Sequence, residues 1–108
     1  MNIYHIWCDP VDGIDPHLFV EKMTQFLDIL VAKKQMVTYR ITRMKLGFRS
    51  MDIPDFHIMM EFESMQQLDD AMTVVVKDKQ TDTAHVGFNS MVDVETIQHA
   101  LYRDWPEQ

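Results

Sequence analysis

Glycine is scarce in this chain, and cysteine scarcer. Three glycines among 108 residues leave no room for a glycine-rich phosphate loop. Neither a Gly-x-Ser-x-Gly nucleophile turn nor a Cys-x-x-Cys pair occurs. The single cysteine, Cys8, excludes an intrachain disulfide and fits a reducing compartment. No apolar run approaches the ~20 residues needed to cross a bilayer. No basic stretch and apolar segment precede the first strand, so no signal peptide and no membrane partner are expected, and the expected location is the cytoplasm. Basic residues are in the minority, 10 Lys and Arg against 17 Asp and Glu, a formal net charge of -7. Nucleic acid asks for a basic face and is not expected as a partner.

What is present describes an ordinary globular protein, 46% hydrophobic and 25% charged. The length suits one domain over residues 1–108 with a core that needs no staples. Ten methionines are many for this length, and they are read as adaptable packing in a core or interface. None forms a compact Met, His and Cys motif of the kind a soft metal needs.

Residues Met1 to Asp9 carry β-branched and aromatic side chains on both faces: Tyr4, Ile6 and Cys8 on one, Ile3, His5 and Trp7 on the other. Side chains alternate along a strand, and a strand without a polar face is expected in the middle of a sheet, covered on both sides. After a turn, Asp15-Pro16 reads as a helix cap with proline in the first turn. Phe19, Met23, Phe26, Leu27 and Leu30 form one apolar stripe, with an end near Lys33-Lys34. Val37 to Leu46 reads as a second strand, with Arg40, Arg43, Lys45 and Arg49 gathering positive charge there. An edge strand guarded by cations and an anchor for a ligand anion are both open readings. Gly47 to Pro54 reads as a loop whose Phe48, Met51 and Ile53 need cover. Asp55 to Glu63 alternates cleanly, with Phe56, Ile58, Met60 and Phe62 inward and His57, Met59 and Glu61 outward. Ser64 and Gln67 form a capping box for a second helix. Lys77 to Asp82 is turn-like, Thr83 to Ser90 is ambiguous between a short helix and a loop, and Val94 to Arg103 reads as a fourth strand without an evident buried face.

The resulting order is βαββαβ, the ferredoxin-like α+β arrangement: a four-stranded antiparallel sheet with both helices on one face and the first strand between the third and fourth. The other face would expose Ile3, Trp7 and Met59, an apolar patch unsuited to a monomer. Two sheets packed face to face would bury it, so a twofold homodimer is expected.

The opening Met-Asn-Ile-Tyr-His-Ile-Trp-Cys-Asp, the run Arg40-x-Thr42-Arg43-x-Lys45-Leu46-Gly47, Phe56-His57 with Glu61-Phe62, and Ala100 to Asp104 together resemble the dimeric α+β barrel superfamily, and within it a small group of uncharacterised bacterial proteins. The superfamily includes cofactor-free monooxygenases, small-ring isomerases, haem-dependent enzymes and stress-responsive proteins. The resemblance therefore implies a barrel-forming dimer with a small-molecule pocket and does not choose a reaction.

On the open face the sequence gathers His5, His57 and Glu61 as candidate catalytic residues. Trp7, Arg40, Met59 and His99 are candidate substrate-binding residues. Three readings compete. In the first, Glu61 pairs with Arg40 or a histidine and the set fixes only the dimer register. In the second, a histidine is a general base oriented by Glu61, Arg40 holds a substrate oxyanion and Trp7 is an apolar wall, suiting proton abstraction from a small organic molecule. In the third, His5 and His57 with Glu61 or His99 hold a metal or haem. No metal and no cofactor is assigned, because the spacing is no local metal motif.

Overall fold

The computed structural model describes residues 1–47 and 52–106. The elements run β1 (Asn2–Cys8), α1 (Pro16–Ala32), β2 (Thr38–Arg43), β3 (Phe56–Phe62), α2 (Met65–Lys77), α3 (Lys79–Asn89) and β4 (Gln98–Arg103), with a 3-10 turn at Val94–Thr96 before the last strand. The four strands form one antiparallel sheet in the order β2-β3-β1-β4. This is the ferredoxin-like α+β arrangement, and β1 takes the interior position that its two bulky faces required.

The core lies on one face of the sheet. Cys8, Phe56, Ile58, Met60 and Phe62 are buried there against Phe19, Met23, Leu27 and Leu30 of α1, Leu68, Ala71 and Val75 of α2, and Phe88 of α3. The burial of β3 alternates at every residue, as its sequence does.

Local chemistry places the helix ends. Asp15 accepts from the His17 amide at 3.0 Å and Pro16 opens α1. The other end closes as a Schellman motif: the Gln35 amide donates to the Leu30 carbonyl at 2.8 Å and the Lys34 amide to Val31 at 3.0 Å. That motif puts Lys34 at φ 60, a conformation usually given to glycine. Ser64 caps α2 by accepting from the Gln67 amide at 3.1 Å. The expected reciprocal bond takes a different course. The Gln67 side chain accepts from the Glu63 amide at 2.7 Å and donates to the Lys34 carbonyl at 3.1 Å, so the start of α2 is tied to the end of α1.

Three expectations are corrected. The polar stretch after Lys77 is a break of one residue: Asp78 ends α2, accepts from the Thr81 amide and hydroxyl at 3.0 and 2.8 Å, and starts α3. A third helix therefore joins the layer, and it absorbs Thr83 to Asn89 of the ambiguous stretch, with Ser90 as its C-terminal cap. The last strand begins at Gln98 and not at Val94, because Asp93 caps a 3-10 turn and accepts from the Glu95 amide at 3.1 Å. The second strand is shorter than expected, Thr38–Arg43. In the loop, Ile53 is half-buried and Pro54 buried; the expectation for Phe48 and Met51 falls outside the described residues. No helix among the described residues is long and apolar enough to cross a membrane.

Candidate functional site

The register arranges the open face of the sheet as a grid of three rows. Thr42, His57, Trp7 and Gln98 form one row across the four strands; Arg40, Met59, His5 and Ala100 the next; Thr38, Glu61, Ile3 and Tyr102 the third. No helix among the described residues covers this face. Ile3, His5, Trp7, His57, Met59 and Glu61 are half-buried by one another, while Arg40, Gln98 and Tyr102 are exposed.

At the centre lies a stacked group. The indole of Trp7 lies on the His57 ring, 4.6 Å between centroids and 11° between planes, and Trp7 and His5 stack at 5.5 Å. Nδ1 of His5 and Nε2 of His57 are 2.7 Å apart, a hydrogen bond in which one ring donates and the other accepts. Tyr102 meets the His5 ring edge-on at 4.6 Å. Burial lowers the pKa of His5. His57 is lowered by burial and further by the neighbouring His5 charge. A pair held below the ordinary 6.5 is neutral at pH 7, and each ring keeps one nitrogen outside the mutual bond.

The sequence-chosen residues divide. His5, His57, Trp7, Met59 and Arg40 share the open face. His99 does not: opposite Ile6 in the register, it points to the helix side, where its Nδ1 lies 2.9 Å from the Tyr4 hydroxyl. It leaves the candidate group for that reason. Glu61 is on the expected face but at its far end, across from Ile3 and Thr38 and four residues from His57. At about 3.3 Å per residue that separation puts its carboxylate beyond the His57 ring, so it does not orient that ring within this chain. Arg40, opposite Met59, is a diagonal neighbour of both His57 and Glu61. Among the described residues no three His, Cys, Asp or Glu side chains are gathered as metal ligands. Tyr102 was missed. Its signal was the pairing of Ala100 with His5, which sequence alone does not give.

Beside the stacked group, at the end where β2 and β3 meet their connecting loop, is a hollow of about 400 Å³. Trp7 and His57 form one wall; Arg43, Lys45, Ile53 and Asp55 contribute to the rest. Arg43 is partly occupied, with its Nε 3.9 Å from Asp55 and its guanidinium 5.3 Å over the Phe56 ring.

Fold and face together define a ferredoxin-like α+β protein with one uncovered, aromatic sheet face. The chain belongs to a family of unknown function, DUF6614, whose pattern it matches over residues 1–108. No curated protein matches the sequence. Among solved structures, an Arabidopsis thaliana protein superposes with a TM-score of 0.77 at 12% identity, covering 100% of this chain and 99% of its own. A protein of Jannaschia, described as a dimeric ferredoxin-like protein of unknown function, gives a TM-score of 0.69 at 12% identity, covering 96% and 100%. One from Nitrosomonas europaea, described as a candidate antibiotic biosynthesis monooxygenase, gives 0.69 at 8% identity, covering 97% and 99%. Identities this low carry the fold alone.

Proposed function

We propose that two copies of this chain pack open face to open face as a homodimer, and that each binds a small organic molecule in the hollow beside Trp7 and His57. The observation that carries the reading is the His5–His57 pair. It sits at 2.7 Å in a half-buried aromatic group, is neutral at pH 7, and borders a space large enough for a ligand. His57 is placed to accept a proton from a bound molecule at Nδ1 when its Nε2–H donates to Nδ1 of His5, and that bond holds it in this tautomer. Arg43 and Lys45 favour a ligand with an anionic group. Proton abstraction, in an isomerase or a cofactor-free monooxygenase, is the chemistry that fits. Half-exposed Ile3, Trp7 and Met59 supply the reason to dimerise, and several proteins of this fold are described as dimeric.

A second reading keeps the dimer and drops the ligand. It is favoured by the way Trp7 stacks on His5 and His57, Tyr102 meets His5 edge-on, and the two histidines hydrogen-bond to each other. A native mass spectrum separates the two. A dimer with a reproducible adduct, lost in His57→Ala while the dimer persists, supports ligand binding. A bare dimer that His57→Ala weakens supports the second reading, and a clean monomer overturns both.

A further inference from the structure

The helix layer does not cover the sheet evenly. α1 packs on β2 and α3, and α2 on β3 and α3. β4 is left bare on this side: His99 is exposed and Leu101 is 45% exposed. Between the layer and β1, under α2 and α3, lies a cavity of about 320 Å³. It is on the opposite side of the sheet from the stacked rings, and nothing in the open-face reading uses it.

Its chemistry is unlike that of the hollow. Most of its wall is aliphatic or aromatic, and no Lys, Arg, Asp or Glu among the described residues lines it. The wall includes Met60 of β3 and Met72, Val75 and Val76 of α2. Met72 and Val76 are 44% and 71% exposed, a pair of apolar side chains at the mouth that folding alone does not bury. A space of this size, at the lower end of the ~300–1,000 Å³ typical of small-molecule pockets, is unusual in an interior packed like an organic crystal. Among the described residues two polar side chains of the wall, His85 and Asn89, are free to meet an occupant, and His85 is the more buried. His85 lies against the Phe26 ring at 5.0 Å, and its ring nitrogens make no hydrogen bond among the described residues. Burial lowers its pKa, so the ring is neutral and offers one donor and one acceptor without charge.

We infer that this cavity is a second binding site, for a neutral, largely apolar molecule with one hydroxyl or carbonyl group, its chain among Met60, Met72 and Val75 and its polar end on His85. An anion is disfavoured, because no cation among the described residues lines the wall to offset its desolvation.

The test uses the whole chain, methyl-labelled at methionine, titrated with decan-1-ol. Met60 and Met72 line the cavity, whereas Met59 of the same strand points to the open face and serves as an internal control. Saturable shifts of Met60 and Met72 with Met59 unmoved are expected. Val76→Trp, at an exposed position that keeps the fold, is expected to weaken binding at least tenfold by closing the mouth. His85→Leu is expected to weaken decan-1-ol several-fold and leave hexane unchanged. No saturable shift in the folded protein overturns the inference, as do shifts confined to Met59 or binding that Val76→Trp leaves intact. None of these outcomes depends on the dimer or on His57, so this site and the open-face site stand or fall separately.

Discussion

His5 and His57 share one hydrogen bond at 2.7 Å across two neighbouring strands, and a charge on His5 lowers the proton affinity of His57. Their positions are diagonal in the register, His5 opposite Met59 and His57 opposite Trp7. The bond crosses the sheet obliquely and draws both rings against the indole. Three properties of the chain can be checked from this and from two further features of the fold.

Stability is expected to fall in mild acid. The folded pKa values of His5, His57 and His85 all lie below the ordinary 6.5. The unfolded chain therefore binds more protons than the folded one in the interval beneath 6.5. Stability is at its full value above that pH, declines as pH falls toward the folded values, and levels off beneath them. Urea midpoints between pH 7.5 and 5 should show this slope. His57→Gln should flatten it more than His85→Gln, because burial and the His5 charge both lower His57, whereas the Asp82 charge opposes the lowering of His85; equal slopes in all three proteins would refute this. Asp78 acts in a separate window. Bonds from Lys33 and Thr81 push its pKa down to about 2. Its contribution is complete above the ordinary 3.8 and disappears as pH falls through about 2.

Cys8 is expected to be inert in the folded protein. It is 0% exposed, and burial together with the charge of Asp9 raises its thiol to about 12. At pH 8 only about one molecule in ten thousand would carry the thiolate that reacts. A disulfide-exchange reagent should modify no thiol in native buffer and one per chain in denaturant. Rapid reaction in native buffer would mean that the core opens at the end of β1.

Lys34→Gly is expected to raise stability by about 1 kcal/mol, the opposite of what an unspecific surface change does. Lys34 holds φ 60 to close α1, and its carbonyl, not its side chain, receives the Gln67 amide. Glycine keeps that bond and removes the Cβ conflict, less some entropy gained by the unfolded chain. Thermal melts of the two proteins decide it, and a lower midpoint for the variant would contradict the reading.

These features were unevenly legible in the sequence. β3 could be read residue by residue because it buries every second side chain. The interior place of β1 followed from its two bulky faces, and the caps at Asp15 and Ser64 from short-range chemistry. β4 could not be read in this way, because Gln98, His99, Leu101, Tyr102 and Arg103 are all exposed. A strand with no buried side has no alternation to show, and His99 was assigned to the wrong face for that reason. α3 escaped because only Thr81 and Phe88 are buried in it, two contacts seven residues apart. The separation of Glu61 from His57 is four residues along β3 and was there to be read, whereas its place diagonal to His5 is a matter of register between strands, which periodicity within one strand does not contain.

The place of β1 also has a consequence for how the chain is made. β1 occupies residues 2–8, yet its two partners come at residues 56–62 and 98–103. On the ribosome the strand that anchors the sheet emerges first and waits for both neighbours. Every pairing it makes closes a long loop, which slows folding. Until then Ile3, Ile6 and Trp7 are open to any other nascent strand. Exchange of β4 between two chains during synthesis is therefore the misassembly to which this topology is most exposed.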